Sequence, residues 1–196
     1  FPRSVLEALR QPLEDGVVTI SRAQGAVTFP ARFVLLAASN PCPCGFLGHP
    51  KKSCKCSLSQ IEKYKKRISG PLLDRIDLHL DVPPVDNEKL TGDDVSEDSK
   101  AIRKRVEKAR SRQRIRFEDV LVKTNGEMTP QMIKQYCTFS KEGYLLLKQA
   151  VSKLALSARS YFKIIKISQT IADISGADRI DSACVSEALQ FRVKEL

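Results

Sequence analysis

Six consecutive residues, Phe33-Val34-Leu35-Leu36-Ala37-Ala38, carry neither a polar side chain nor any alternation. A strand apolar on both faces belongs between two covering layers, as in the parallel sheet of an α/β fold. The run ends in Ser39-Asn40, and the carboxyl end of such a strand is where α/β proteins place their chemistry. Pro41-Cys42-Pro43-Cys44-Gly45 follows directly, and Cys54-Lys55-Cys56 comes shortly after. Two Cys-x-Cys pairs flanking a short basic loop have the composition of a four-thiolate metal site. Soft thiolates in closed fourfold ligation would hold a structural Zn²⁺ and leave no open position for chemistry. The spacing is tighter than the two-residue gap of common zinc ribbons, so reduced thiols or redox-labile pairs are the alternatives. His49 could replace one ligand, although Gly48-His49-Pro50 reads as a turn.

Around this segment the pattern is mixed. Val5, Leu6, Ala8 and Leu9 recur at helical spacing from Ser4 to Pro12, and Asp15-Gly16 ends the element. Val17-Val18-Thr19-Ile20 and Ala26-Val27-Thr28-Phe29 flank Ser21 to Gly25, the pattern of a β-hairpin. Ser59-Gln60-Ile61-Glu62 is a candidate capping box for a basic helix through Ile68. Ser69-Gly70-Pro71 breaks it, and Leu72 to Ile76 begins another short element. Asp77 to Val82 alternates as a half-solvated strand would, and Pro83-Pro84 closes the unit. Residues 85–98 are acidic, with few large apolar groups, and read as a linker.

From there the charge inverts. Lys100 to Arg116 holds nine basic residues with Glu107 as its one acid, and Ile102, Val106 and Ala109 form a narrow apolar stripe. This is a helix with a positive outer face, either simply solvated or in contact with phosphate. Thr129-Pro130, Ser140, Ser157 and Asp181 start the remaining helices, and Gly176 stops the one after Ser157. The domain reading is therefore 1–84 as the C-terminal part of an α/β core with a cysteine loop, 85–98 as an acidic linker, and 99–196 as a helical domain.

A net charge of +10 favours polyanions, nucleic acid first. No run reaches the roughly eighteen apolar residues of a membrane span, and no N-terminal signal pattern appears, so the expectation is a cytoplasmic protein with no membrane partner. The chain opens mid-element at Phe1, as a portion of a longer protein would. Without a secretory signal, the clustered cysteines favour metal over disulfides, and Cys137 and Cys184, in helix-like stretches, read as buried small hydrophobes.

Three segments occur in a set order: the strand ending in Asn40 with Pro41 to Gly45; Ser69-Gly70-Pro71-Leu72-Leu73-Asp74-Arg75-Ile76-Asp77; and Leu156-Ser157-Ala158-Arg159 with Thr170-Ile171-Ala172-Asp173. Together they resemble the second half of an AAA+ ATPase of the magnesium-chelatase-like group, in its Mg chelatase-related, ComM/YifB-type branch. The resemblance implies a partial AAA+ P-loop core (a partial sheet with a β-hairpin) followed by a helical lid. It makes Asn40 the sensor-1 residue, Arg75 an arginine finger reaching a neighbouring subunit, and Arg159 the sensor-2 residue. Read without the resemblance, Asn40 would be a strand-terminating turn residue. Arg75 would then be an ion-pair partner of Asp74 or Asp77, and Arg159 part of a helix cap or a surface ion pair.

The resemblance also implies ATP and Mg²⁺ as cofactors of the full-length protein, identical subunits in a ring, six in number by analogy with such motors, and DNA as the partner in remodelling or branch migration. Arg22 near the hairpin tip, Lys51 and Lys52 in the cysteine loop, and Arg103 and Arg110 on the basic helix are the candidate DNA contacts. No Gly-x-x-x-x-Gly-Lys-Ser/Thr phosphate loop occurs in the sequence, and the acidic Walker B pair is also missing. These residues alone are therefore expected not to hydrolyse ATP. The alternatives are a motor subunit of a true metal chelatase and a non-catalytic zinc-dependent nucleic-acid-binding module.

Overall fold

A computed structural model describes residues 1–84 and 97–192. The chain divides into two compact units, Phe1–Asp86 and Asn87–Leu196. Most of the expected acidic linker, residues 85–96, lies outside the described residues, whereas Asp98 is a helix cap.

The first unit opens with two short helices, α1 (Arg3–Ala8) and α2 (Arg10–Asp15), where the periodicity predicted one. Pro12 explains the break. It has no N–H to donate, and its ring would collide with the carbonyl of Ala8 in a continuous helix. Gly16 ends α2 in the left-handed region at φ 66°. Strands β1 (Val17–Arg22) and β2 (Gly25–Pro30) then pair antiparallel, Val17 opposite Pro30 and Arg22 opposite Gly25, around an Ala23-Gln24 turn. Thr19 and Thr28 bond across one face through their hydroxyls at 3.1 Å. Val18, Ile20, Val27 and Phe29 share the other.

The parallel strand expected at 33–38 does not form, nor does the alternating one at 77–82. Both segments are without assigned strand structure, with Val34 88% and Leu36 91% exposed. A strand exists only where a neighbour completes its hydrogen-bond ladder, and the sheet of the described residues contains β1 and β2 alone. What the unit contributes is thus a two-stranded sheet with short helices, not a layered parallel sheet.

Helix α3 (Leu58–Lys65) is capped two residues before the expected Ser59. Ser57 is the cap, accepting from the amide of Gln60 at 3.3 Å, while Gln60 Oε1 accepts from the amide of Ser57 at 2.9 Å. Ser69 likewise caps α4 (Gly70–Leu73), so the expected helix breaker is a helix start with Pro71 in its first turn.

The second unit is helical: α5 (Ser99–Arg116), a 3₁₀ turn (Asn125–Glu127), α6 (Pro130–Tyr136), α7 (Lys141–Lys153), α8 (Ala158–Ser175) and α9 (Ser182–Gln190). Thr129, Ser140, Ser157 and Asp181 each accept a first-turn amide, as the sequence predicted. Met128, Leu147, Ile164, Ile165, Ile180 and Val185 lead its apolar core. Gly143 allows α7 to lie against the backbone of Ile180–Asp181. A Cβ there would stand 2.5 Å from the Ile180 carbonyl oxygen, which leaves glycine as the one residue that fits without displacement.

The apolar stripe expected on α5 is only partly buried. Ala109 and Gln113 are covered, but Ile102 and Val106 remain 43% and 48% exposed. No helix among the described residues is long and apolar enough to cross a membrane.

Candidate metal centre and nucleotide-facing residues

The structure brings the four clustered cysteines together. Cys42 and Cys44 Sγ are 3.4 Å apart, Cys42 and Cys54 3.7 Å, and Cys44 and Cys54 3.6 Å. All four sulfurs, Cys56 included, lie within 4.8 Å of one another. Tetrahedral zinc–sulfur bonds of about 2.3 Å place the ligands roughly 3.8 Å apart, so the cage matches one ion in size. Gly45 makes the first Cys-x-Cys turn possible, with φ 80° and its amide donating to the Cys42 carbonyl at 3.0 Å.

The charge balance of the cage also suits a cation. Amides of Phe46 and Lys55 point at the Cys44 sulfur and lower its pKa to about 6. Burial, together with the neighbouring sulfurs, pushes Cys56 up to about 12. Four sulfurs this close cannot all ionise unless a cation compensates them. His49 is not a ligand. Its Nδ1 accepts from the amides of Lys51 and Lys52 at 3.0 and 3.2 Å, which makes it the cap of the turn. Cys137 and Cys184 are buried in the second unit, and burial pushes the Cys137 thiol up to about 11.

Asn40 is exposed at the end of the extended apolar segment. Its side-chain amide carbon lies 3.9 Å from where a Gly45 Cβ would be, beside the cysteine turn. Arg75 follows α4 and turns into its own unit. It forms an ion pair with Glu14 and donates to the Pro71 carbonyl at 2.7 Å. The pairing with Glu14 of α2 is one that a local reading, limited to the adjacent Asp74 and Asp77, does not suggest. Its Nε is buried without a hydrogen-bond partner among the described residues. The guanidinium lines an open cleft with Glu7, Arg10, Gln11 and Glu14. Arg159 sits half-buried in the first turn of α8, in the second unit.

Of the candidate DNA contacts, Arg22 is exposed at the hairpin end, and Arg103 and Arg110 are exposed on α5. Lys51 and Lys52 are exposed in the cysteine loop, Lys52 Nζ standing 5.0 Å from the Phe46 ring centre. Two other cations of α5 face inward. Arg116 makes a paired contact with buried Asp173, and Arg112 donates to the carbonyls of Gly176 and Ala177 at 2.8 Å. The sequence shows their charge but not these partners, which lie more than fifty positions away in the chain.

Comparison with known proteins adds to this geometry. The family model for magnesium chelatase, subunit ChlI, matches residues 1–90, and the model for the ChlI C-terminal region matches residues 96–192. The chain is similar to the competence protein ComM of Haemophilus influenzae, with 42% identity over 195 residues, 98% of this chain and 37% of that protein. It is similar also to the uncharacterized protein YifB of Salmonella typhimurium and of Escherichia coli, 36% identical over 193 residues, again 98% of this chain and 37% of each relative. The chain therefore spans little more than a third of the length of these relatives.

Proposed function

This chain belongs to the magnesium chelatase-related family of ChlI, ComM and YifB, and from that membership we propose that it supplies part of an AAA+ ATPase ring that remodels DNA. In this reading Asn40 orients water or the γ-phosphate without adding charge. Arg75 stabilises the charge that spreads over the γ-oxygens at a neighbouring subunit's nucleotide. Arg159 reaches the phosphates from a helix N-terminus, which already favours anions. The observation that carries the reading is Arg75: a largely sheltered guanidinium in the turn after a short helix, with an Nε–H group that no described residue satisfies. ATP and Mg²⁺ would be bound by groups beyond these 196 residues, since no phosphate loop occurs among them. The ring would consist of identical cytoplasmic subunits, six by analogy with related motors.

The test is ATP turnover of the longer protein with and without DNA. Stimulation by DNA is the expected result, and indifference to DNA would remove the remodelling part. The name of the matched family models favours a second reading, a chelatase motor acting on a metal-inserting partner. A cysteine cage and a basic helix are not needed for that task.

We assign the cage to structural Zn²⁺ on the sulfur spacing above. Held by four thiolates, the ion would tie the loop 42–56 into one unit and take no part in chemistry. Elemental analysis of the purified chain is expected to find about one zinc per chain, and Cys54→Ala is expected to abolish it. Zinc well below stoichiometry in protein prepared without chelator would refute the assignment.

A further inference from the structure

The stretch from Phe46 to Arg67 carries seven cations against Glu62, a balance of +6 within a chain whose total is +10. More than half the excess charge thus sits in about a ninth of the residues, and it continues past the cysteine loop into α3. At about 100° per residue, Lys63 and the cap residue Lys66 fall on the side of that helix opposite Ile61, which is 8% exposed, and Arg67 follows in the turn directly after it. All three are exposed. Glu62 approaches Lys66 at 3.6 Å, but both side chains are largely in solvent, and such pairs are weak.

The helix is also anchored at its origin. Its cap, Ser57, is the residue after Cys56, so the sulfur cage and the capping box together fix where α3 begins and which face it turns outward. The nearby aromatic rings are not open stacking platforms. Arg67 lies over the Tyr64 ring at 5.9 Å and Lys52 over Phe46 at 5.0 Å, and both rings are half-buried. Their effect is to steady cations. Base stacking requires exposed ring faces, whereas a surface of steadied cations suits phosphates.

We infer that the outer face of α3 and the turn that ends it, with Lys63, Lys66 and Arg67, form a nucleic-acid backbone-binding surface held in place by the cysteine cage. Its partner is the sugar-phosphate backbone of DNA, contacted without sequence preference. The inference rests on the DNA reading above and adds a surface to it.

The test is binding of the full chain to a labelled duplex of about thirty base pairs and to its single strand, as a function of salt. Each phosphate contact contributes about 0.9 to the log–log salt slope on duplex DNA. Lys63→Gln/Lys66→Gln/Arg67→Gln is therefore expected to make that slope shallower by about two to three, with zinc content and circular dichroism unchanged. Scrambling the DNA sequence is expected to change nothing. A charge-matched control, Lys134→Gln/Lys141→Gln/Lys153→Gln, is expected to change the slope by less than one contact's worth. If the parent binds DNA and the α3 triple variant keeps its affinity and slope, or the control loses as much, the surface assignment is overturned while the DNA reading stands. If the parent binds neither DNA, both fail together.

Discussion

Arg75→Ala in the longer protein is expected to lower ATP turnover by on the order of 10³-fold or more, the loss associated with removing an arginine finger, while ATP affinity changes little. The proposal gives the guanidinium a role only as charge develops in the transition state, so the loss should fall on kcat. The structure offers a specific rival, because Arg75 pairs with Glu14 of its own unit and donates to Pro71. Glu14→Gln separates the two. If the intrachain pair is the whole role of Arg75, Glu14→Gln should reproduce the damage, and Arg75→Ala should chiefly lower stability. If Arg75 acts in trans, Glu14→Gln should leave turnover near that of the parent. Mixing subunits bearing Arg75→Ala with subunits bearing Asn40→Ala should then restore activity, because some interfaces join an intact finger to an intact nucleotide site. A loss smaller than about tenfold for Arg75→Ala, or no recovery on mixing, is incompatible with a finger of the usual strength.

The helices of the second unit were legible because their start signals are local. Thr129, Ser140, Ser157 and Asp181 each sit directly before an apolar-periodic run, and each accepts the predicted kind of amide bond. Ser57 with Gln60 and Ser59 with Glu62 both satisfy the capping-box spacing, so the pattern alone does not select Ser57, the cap that the structure uses. The run 33–38 was misread for a different reason. Its composition records a burial that needs neighbouring strands, and the described residues supply none. The cysteine cage was visible as spacing, but the exclusion of His49 required its Nδ1 to be seen accepting two amides. The nine cations of α5 read as one positive face, yet Arg112 and Arg116 turn to partners on α8 and just beyond it, and Arg105 pairs with Glu97. Sign is written in sequence; partnership across fifty residues is not.

That inward pair carries the second large effect. Asp173 is 1% exposed, and its carboxylate accepts from Arg116 Nη1 at 2.8 Å, Asn125 Nδ2 at 2.8 Å and Gln169 Nε2 at 3.3 Å. The hydrogen bonds to Asp173 in turn raise the pKa of Arg116 above its ordinary value. Asn125 extends the network to Thr170 at 3.0 Å and, through its amide, to Gln113. One carboxylate thus joins α5, the 3₁₀ turn and α8. Removing one member of a buried pair leaves the other charge uncompensated, which costs about 3–5 kcal/mol, so Asp173→Ala is expected to destabilise the helical unit by that amount. Chemical denaturation followed by circular dichroism at 222 nm measures it, since that signal is mostly helical. Replacing both charges with apolar groups, Asp173→Leu with Arg116→Met, should recover part of the loss, because it leaves no stranded charge, while Asn125 Nδ2 and Gln169 Nε2 still lose their acceptor. Arg159 occupies the first turn of the helix whose last turn this carboxylate anchors. If the pair serves stability alone, the double variant should regain ATP turnover in the longer protein along with its fold. If the carboxylate also fixes the direction of α8, stability should return without turnover, and the nucleotide KM should stay raised. A single variant that loses less than about 1 kcal/mol would mean that water reaches the site and compensates Arg116.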